Sequence, residues 1–192
     1  MNRNLTLVVV TLVWLGLLGC SSVPPAPIVA GGDSGAATQL MVVHQEGGKT
    51  WNIFGLEIVG KVMSAQTGGQ YSVIVSTTRP GGGPPRHLHE NEDELFFVLE
   101  GVFEFYCGEE VSRAEKGALV VLPRGIPHGF RNVGQIDGML MNTITPGGFE
   151  GFFEEIDRLP KDKPLDRVRV TAIAARYGLT FLPEAGEASS QP

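Results

Sequence analysis

Two cysteines, Cys20 and Cys107, are the only thiols in 192 residues, far too few for a disulfide framework. No cluster of lysine and arginine stands out, and the formal net charge is −6. Phosphate binding needs a concentrated basic face, so nucleic acid is excluded as an expected partner. No internal repeat of any length is present, and the longest apolar run falls short of the roughly 20 residues a membrane-spanning helix needs. What the chain does have is 26 glycines and 13 prolines, turn formers that favour short strands and tight loops over a helical bundle. Its length suits one domain of ordinary size with its own core.

The apolar run, "LTLVVVTLVWLGLLG" after "MNRN", carries no charge and suits the central region of an export signal, here residues 1–19. It ends in "LLGC", Leu17 to Cys20, which resembles the lipobox of bacterial lipoproteins. The resemblance implies cleavage before Cys20 and lipidation of its thiol, so that the protein is exported and anchored at the cell envelope. The plainer alternative is a signal peptide with a chance cysteine. Residues 20–38 are Pro, Gly, Ser and Ala with one charge and predict a flexible tether. If the source is Gram-negative, Ser21 after Cys20 favours the outer membrane, facing the periplasm.

From residue 39 to about 148 the pattern has the two-residue period of half-buried strands. Candidate strands are "LMVVHQ", one or two in "KTWNIFGLEIVGKVM", "QYSVIVSTT", two in "ELFFVLEGVFEFYC" meeting at Gly101, "KGALVVLPRG" ended by Pro123, and "GMLMNTI". Many short strands with Gly/Pro turns predict a sandwich or barrel. Residues 149–192 then change period. Phe149, Phe152, Phe153 and Ile156 form one helical stripe stopped by Pro160. A second helix is expected from Asp166 as N-cap, with Val170, Ile173, Ala174 and Tyr177 on one face and Gly178 after its end. These helices are read as a cover, or a subunit contact, outside the sheets, and "EAGEASSQP" as disordered.

The informative stretch is "RHLHENEDELFFVLEG". His87 and His89 lie two apart, so on a strand both point to one face. Two imidazoles on one buried face each bring nitrogens that must find partners, and a divalent metal satisfies one of each. After the polar turn the alternation restarts, and Glu94 faces the same interior as Phe96 and Val98. His128, in "PRGIPHGFRN", opens another strand beyond a Pro/Gly turn with Phe130 on its face. Three imidazoles and a carboxylate form a mixed N/O set suited to one divalent transition ion, Fe, Mn, Ni, Co, Cu or Zn. Glu90, Glu92 and Asp93 are read as solvated turn acids, and Asn132 as a turn residue bonding backbone. Arg86 and Arg124 are taken as surface groups that flank the ligands, Cys107 as an inert buried thiol, and His44 as structural.

These residues carry a family resemblance. Gly81, His87, His89, Glu94 and Gly101 meet every spacing of the first motif of the cupin superfamily, G(x)5HxH(x)3–4E(x)6G. Gly117, Pro123, Gly125, His128 and Asn132 meet every spacing of the second, G(x)5PxG(x)2H(x)3N. The surrounding sequence further resembles single-domain bacterial cupins often labelled quercetin 2,3-dioxygenase-like. The resemblance implies an all-β double-stranded β-helix, a jelly-roll barrel with a short C-terminal helical extension. It also implies a metal held by His87, His89, Glu94 and His128. Four protein ligands on an octahedral ion leave two positions for a substrate oxygen and O2, as in dioxygen-activating cupins. Glu94 is then the candidate catalytic base. The wall residues chosen by alternation are Tyr71, Val73, Phe96, Val98, Phe103, Phe105, Phe130, Met139 and Met141, a lining suited to a small aromatic or enolic substrate. The expected activity is that of a metal-dependent dioxygenase. The alternatives are a non-catalytic metal or small-molecule receptor and a non-redox isomerase or hydrolase, because one barrel hosts all three. A homodimer is compatible with the family and with the apolar helices.

Overall fold

A computed structural model of the chain describes residues 40–161, 164 and 166–183. The signal segment, Cys20, the tether and "EAGEASSQP" lie outside the described residues. Among the described residues, eleven strands form two antiparallel sheets. In chain order they are β1 (Lys49–Ile53), β2 (Leu56–Val62), β3 (Ser72–Thr78), β4 (His87–His89), β5 (Asp93–Glu100), β6 (Val102–Cys107), β7 (Glu110–Glu115), β8 (Leu119–Leu122), β9 (His128–Asn132), β10 (Gly138–Thr145) and β11 (Leu179–Phe181). One sheet runs β1-β2-β3-β10-β5-β8 and the other β11-β4-β9-β6-β7. Consecutive strands repeatedly fall in opposite sheets, which is the double-stranded β-helix expected from the sequence. Two helices follow, α1 (Glu150–Asp157) and α2 (Arg167–Arg176).

Alternation holds the sheets together. Ile74 and Ser76 of β3, Glu94, Phe96 and Val98 of β5, and Leu140, Asn142 and Ile144 of β10 point inward and are buried. His87 and His89 of β4, Phe103 and Phe105 of β6, and His128, Phe130 and Asn132 of β9 meet them from the other sheet. Phe96, Val98, Phe103, Phe105 and Phe130 pack into one hydrophobic cluster. A second cluster joins Trp51, Ile53, Ile74 and Ile144 to the apolar faces of both helices. Each large side chain buried there stabilises the fold by roughly 1.5–3 kcal/mol.

The turns follow their residues. The three motif glycines expected at turns, Gly101, Gly117 and Gly125, have φ of 90, 91 and 74°. A two-residue hairpin joins β1 to β2 through Phe54 and Gly55, with φ of 52 and 79°, the mirror-image turn that matches strand twist. Phe54 is the one described non-glycine residue with positive φ, a conformation that costs about 1–3 kcal/mol. Its ring stacks edge-on against Phe181 at 5.8 Å, which holds it there.

Several expectations are corrected. "LMVVHQ" forms no strand: Leu40 to Gln45 pair with no strand of either sheet and are exposed. His44 accordingly lies in an exposed loop, with its carbonyl accepting from Gly47 N and Lys61 Nζ. The strands β7 and β11 were not foreseen, and β11 makes the C-terminal extension more than helical. The helices themselves match: Asp166 caps α2 by accepting from Val168 N and Arg169 N, and Gly178 follows with φ 65°. Instead of covering the outside of a sheet, however, α1 turns its aromatic stripe into the mouth of the barrel.

Two glycine substitutions separate close packing from backbone strain. A Cβ at Gly101 would sit 2.8 Å from Gly138 Cα, whereas one at Gly117 would meet nothing within 4 Å. Gly117→Ala is expected to cost about 1–2 kcal/mol from its positive φ alone. Gly101→Ala should cost at least about 1 kcal/mol more by urea denaturation; equal losses would contradict this packing.

Candidate metal centre

The four side chains named by spacing converge. One ligand atom from each of His87, His89, Glu94 and His128 lies within 4.8 Å of every other, and all four residues are buried. Three neighbouring strands supply them. β4 gives His87 and His89 by its two-residue period, and β9 lies beside it with His87 opposite His128. β5 brings Glu94 across from the facing sheet. Glu94 Oε2 is the common point, 3.1 Å from His128 Nε2, 3.8 Å from His89 Nε2 and 4.0 Å from His87 Nε2.

The other atoms of these groups are tied down. Asn142 Nδ2 donates to Glu94 Oε1 at 2.6 Å, which leaves Oε2 turned to the imidazoles. His87 Nδ1 is 2.8 Å from Pro85 O, and His89 Nδ1 is 3.2 Å from Glu92 Oε2. A carbonyl or carboxylate oxygen only accepts, so these bonds place a proton on each Nδ1 and direct each Nε2 inward. The turn before His128 is fastened by Gly125 N donating to His89 O at 2.7 Å. It is also held by a bidentate pair, Arg124 to Asp93, at 3.0 and 2.8 Å. That pair holds the Asp93 carboxyl down at about 2.

Electrostatics follow from burial and proximity. Burial alone would raise the Glu94 pKa, but His89, the hydrogen bond from His128 and the charge of His87 outweigh it and take it to about 2. Desolvation lowers His87 to about 4 against the pull of Glu94. His89 moves the other way: burial lowers its pKa, yet Glu94 and Glu92 together raise it above 6.5. A carboxylate and three ring nitrogens enclosed at this spacing fit a divalent ion. Metal–N and metal–O bonds of about 2.0–2.2 Å set ligands on opposite sides of an ion about 4 Å apart. His128 Nε2, 3.1 Å from Glu94 Oε2, points into the same cluster.

The cavity above this cluster has a volume of about 80 Å³. Phe96 and Phe130 line it as expected. Val98, Phe103 and Phe105 are buried deeper, in the cluster behind it. Tyr71, Val73, Met139 and Met141 are misplaced by one register and face outward; Ile74, Ser76 and Asn142 line the cavity in their stead. The physical reason is that the inner face of β3 carries Ser72, Ser76 and Thr78 beside Ile74 while Val73 and Val75 face outward. β10 is apolar on both faces, so alternation alone does not choose the inner one. Two supporting groups escaped the sequence reading. Glu92 is buried on His89 rather than solvated, and Asn142 holds Glu94. A lone amide inside the apolar "GMLMNTI" was the available signal for the second. Phe149 of the helical stripe also reaches the site, edge-on to His89 at 4.4 Å. Asn132 is a turn residue as expected: its amide donates to Thr78 O and Ile136 O. Cys107 is half-buried, and desolvation raises its thiol pKa.

Fold and cluster together define a cupin-type barrel with a buried three-histidine, one-glutamate set. Residues 74–144, which include all four clustered side chains, match the family model of the cupin domain. The chain is 28% identical over 72 residues to Protein SchB of Streptomyces halstedii, covering 38% of this chain and 52% of that one. The match therefore spans about half the length of that curated relative. Among solved structures the chain is similar to a predicted oxalate decarboxylase from Thermotoga maritima, with TM-score 0.51 and 20% identity over 55% of this chain and 99% of that one. An RmlC-like cupin from Shewanella frigidimarina gives TM-score 0.50 and 17% identity over 59% and 96%. At such identities the likeness is one of fold.

The carboxylates of Glu94 and Glu92 raise the His89 pKa, so an incoming ion displaces its proton. Metal affinity should therefore rise with pH between about pH 5 and 6.5, where His87, lowered to about 4, is already neutral. Glu92→Gln should weaken binding about 10–100-fold. Calorimetric titration of apo protein checks both; a flat pH profile, or unchanged affinity in the variant, would contradict this arrangement.

Proposed function

We propose that the chain is a metal-dependent dioxygenase acting on a small aromatic or enolic substrate. The observation that carries this reading is the composition of the cavity: a mixed N/O donor set at the base of walls that are otherwise almost wholly apolar. Among the described residues lining it, the ionisable ones are the four clustered side chains themselves. No acid or base besides those four lines this cavity among the described residues, so proton transfer there falls to Glu94. Insertion of both atoms of O2 into the substrate needs no reductant and no second cofactor. The ion, Fe, Mn, Ni or Co, supplies the redox chemistry. The chain supplies the rest. Phe96, Phe130 and Phe149 exclude water and hold the substrate's apolar part, while Glu94 Oε2 accepts the enol proton.

Size narrows the substrate. An apolar cavity of about 150 Å³ holds benzene, and this one is about 80 Å³. A linear β-diketone matches that space better than a flavonol does. With the protein loaded with each metal in turn, O2 uptake should be stoichiometric with consumption of a small β-diketone and faster than with any flavonol. Glu94→Gln at matched metal content should lower kcat about 10²–10⁴-fold. No O2 uptake across diketones, catechols and flavonols overturns the reading; turnover with Zn under anaerobic conditions moves it to non-redox catalysis, and release of an unchanged co-purified ligand to a receptor.

The reading includes a second copy of the chain. Val59, Val75, Met141, Phe97 and Leu119 pair in register across five strands on the outer face of the larger sheet, an apolar row about 20 Å wide at the usual strand spacing. Val73, Leu95 and Val121 lie in the next row, and Leu119 and Val121 are 62% and 55% exposed. The helices pack on β1 and β11. An apolar face of this size, interrupted by Thr143 in its second row, supports an interface, and its row suits a two-fold pair. Light scattering should give a dimer, and Phe97→Glu a folded monomer; a monomeric native protein at micromolar concentration would refute the dimer.

A further inference from the structure

A sheet edge presents a row of unpaired N–H and C=O groups, which folded chains cover, shorten or charge. Three of the four edges here are managed in that way. α1 packs against β1, where Lys49 Nζ donates to Glu154 Oε1 at 2.7 Å. β11 has three residues, and β7 carries Glu110, Arg113 and Glu115. The fourth edge is different. β8, "LVVL", carries no charge, and β5 is its one pairing partner among the described residues. Val98 N donates to Ala118 O and Gly117 N to Val98 O, at 3.0 and 2.9 Å. Bonded pairs recur at every second residue of an antiparallel ladder, so Val120 and Leu122, opposite Phe96 and Glu94, bond to β5. The N–H and C=O groups of Leu119 and Val121 therefore point to the open side, on residues whose apolar side chains are exposed.

The chain also holds a strand-like segment without a sheet. Leu40 to Gln45 contains no Lys, Arg, Asp or Glu. Exposure alternates along it, 94% at Leu40, 38% at Met41, 66% at Val42 and 36% at Val43, so Leu40 and Val42 share the outer side. Its far end is pinned, because Lys61 Nζ donates to the carbonyls of Gln45 and Gly47 at 2.5 and 2.6 Å. Lys61 belongs to β2, so the segment departs from the β1–β2 side of the larger sheet. Four strand steps place β8 about 19 Å from β2. The five residues before Gln45 reach at most about 17 Å when extended, so the segment cannot lie along the β8 of its own barrel.

We infer that Leu40 to Gln45 of one copy adds as a strand to the open edge of β8 in a second copy, and the reverse, so that the pair is joined by exchanged strands. This rests on the chain forming a dimer through the outer face of the larger sheet. That face runs from Val59 of β2 to Leu119 of β8. A two-fold axis parallel to the strands stacks each β8 over the partner's β1–β2 side, about 10 Å away and within the reach of the segment. Added there, its backbone satisfies the free groups of Leu119 and Val121, and Leu40 and Val42 extend the apolar face those two residues begin.

Residue-resolved amide hydrogen exchange by NMR, on the full-length chain in detergent and alongside light scattering, tests this. The Leu119 and Val121 amides should exchange at least about 100-fold more slowly than unprotected amides. Val42→Pro, which cannot donate to a ladder, should speed both at least about tenfold and leave Val120 and Leu122, bonded to β5, unchanged. Leu40→Asp combined with Val42→Asp should do the same. Both variants change an exposed segment outside the sheets, so the barrel stays folded, and unchanged metal affinity checks that it does. Rapid exchange at Leu119 and Val121 in a dimer overturns strand exchange and leaves a pair of stacked faces. A monomer overturns both readings. Protection that neither variant reduces also overturns the inference, since another segment then covers β8.

Discussion

A carboxylate enclosed by three imidazoles is the constraint on which the rest of this molecule depends. Glu94 is 5% exposed, and an ionised group so far from water is tolerated only when paired and hydrogen-bonded. Its Oε1 is held by Asn142, its Oε2 faces His87, His89 and His128, and two of those rings are held in turn by Pro85 O and Glu92. These partners come from β4 and the turns that flank it, from β9 and from β10. The site therefore forms only if β4, β5, β9 and β10 are in one register, and a slip of one residue on any of them would turn a ligand outward.

The fold supplies that register through hydrophobic packing on two sides. One aromatic cluster fills the closed end behind the site, and a second, built from β1, β2 and both helices, closes the mouth. The polar set lies between them, lining a cavity with residues from each. The outcome is a dry space with charged groups at one point, where electrostatic interactions are less screened than at a surface.

Much of this was legible in the chain, and the reasons are specific. His87 and His89 could be placed on one face because the period of a strand is two, and Glu94 because the alternation in "ELFFVLEG" is clean. Gly101, Gly117 and Gly125 could be placed at turns because their positions end apolar runs. Register failed where the outer face is at least as apolar as the inner one: Val73, Met139 and Met141 look as suited to a core as Ile74 and Leu140 do, and pairing partners distant in sequence decide between them. Charge misled at Glu92, since its sequence neighbours are acids while its spatial neighbour is His89. The strands β7, "EVSRAE", and β11, "LTF", carry too little apolar periodicity to announce themselves; they form because an adjacent strand offers a ladder. The aromatic stripe of α1 gave its helix correctly but not its destination, because helical periodicity says which face is buried and not what it is buried against.

X-ray absorption spectroscopy of the metal-loaded protein tests the central claim most directly. The account predicts a first shell of nitrogen and oxygen at about 2.0–2.2 Å with multiple scattering from three imidazoles, falling to two in His128→Ala. An ion bound by oxygens alone, or an imidazole count that the loss of His128 leaves unchanged, would contradict it.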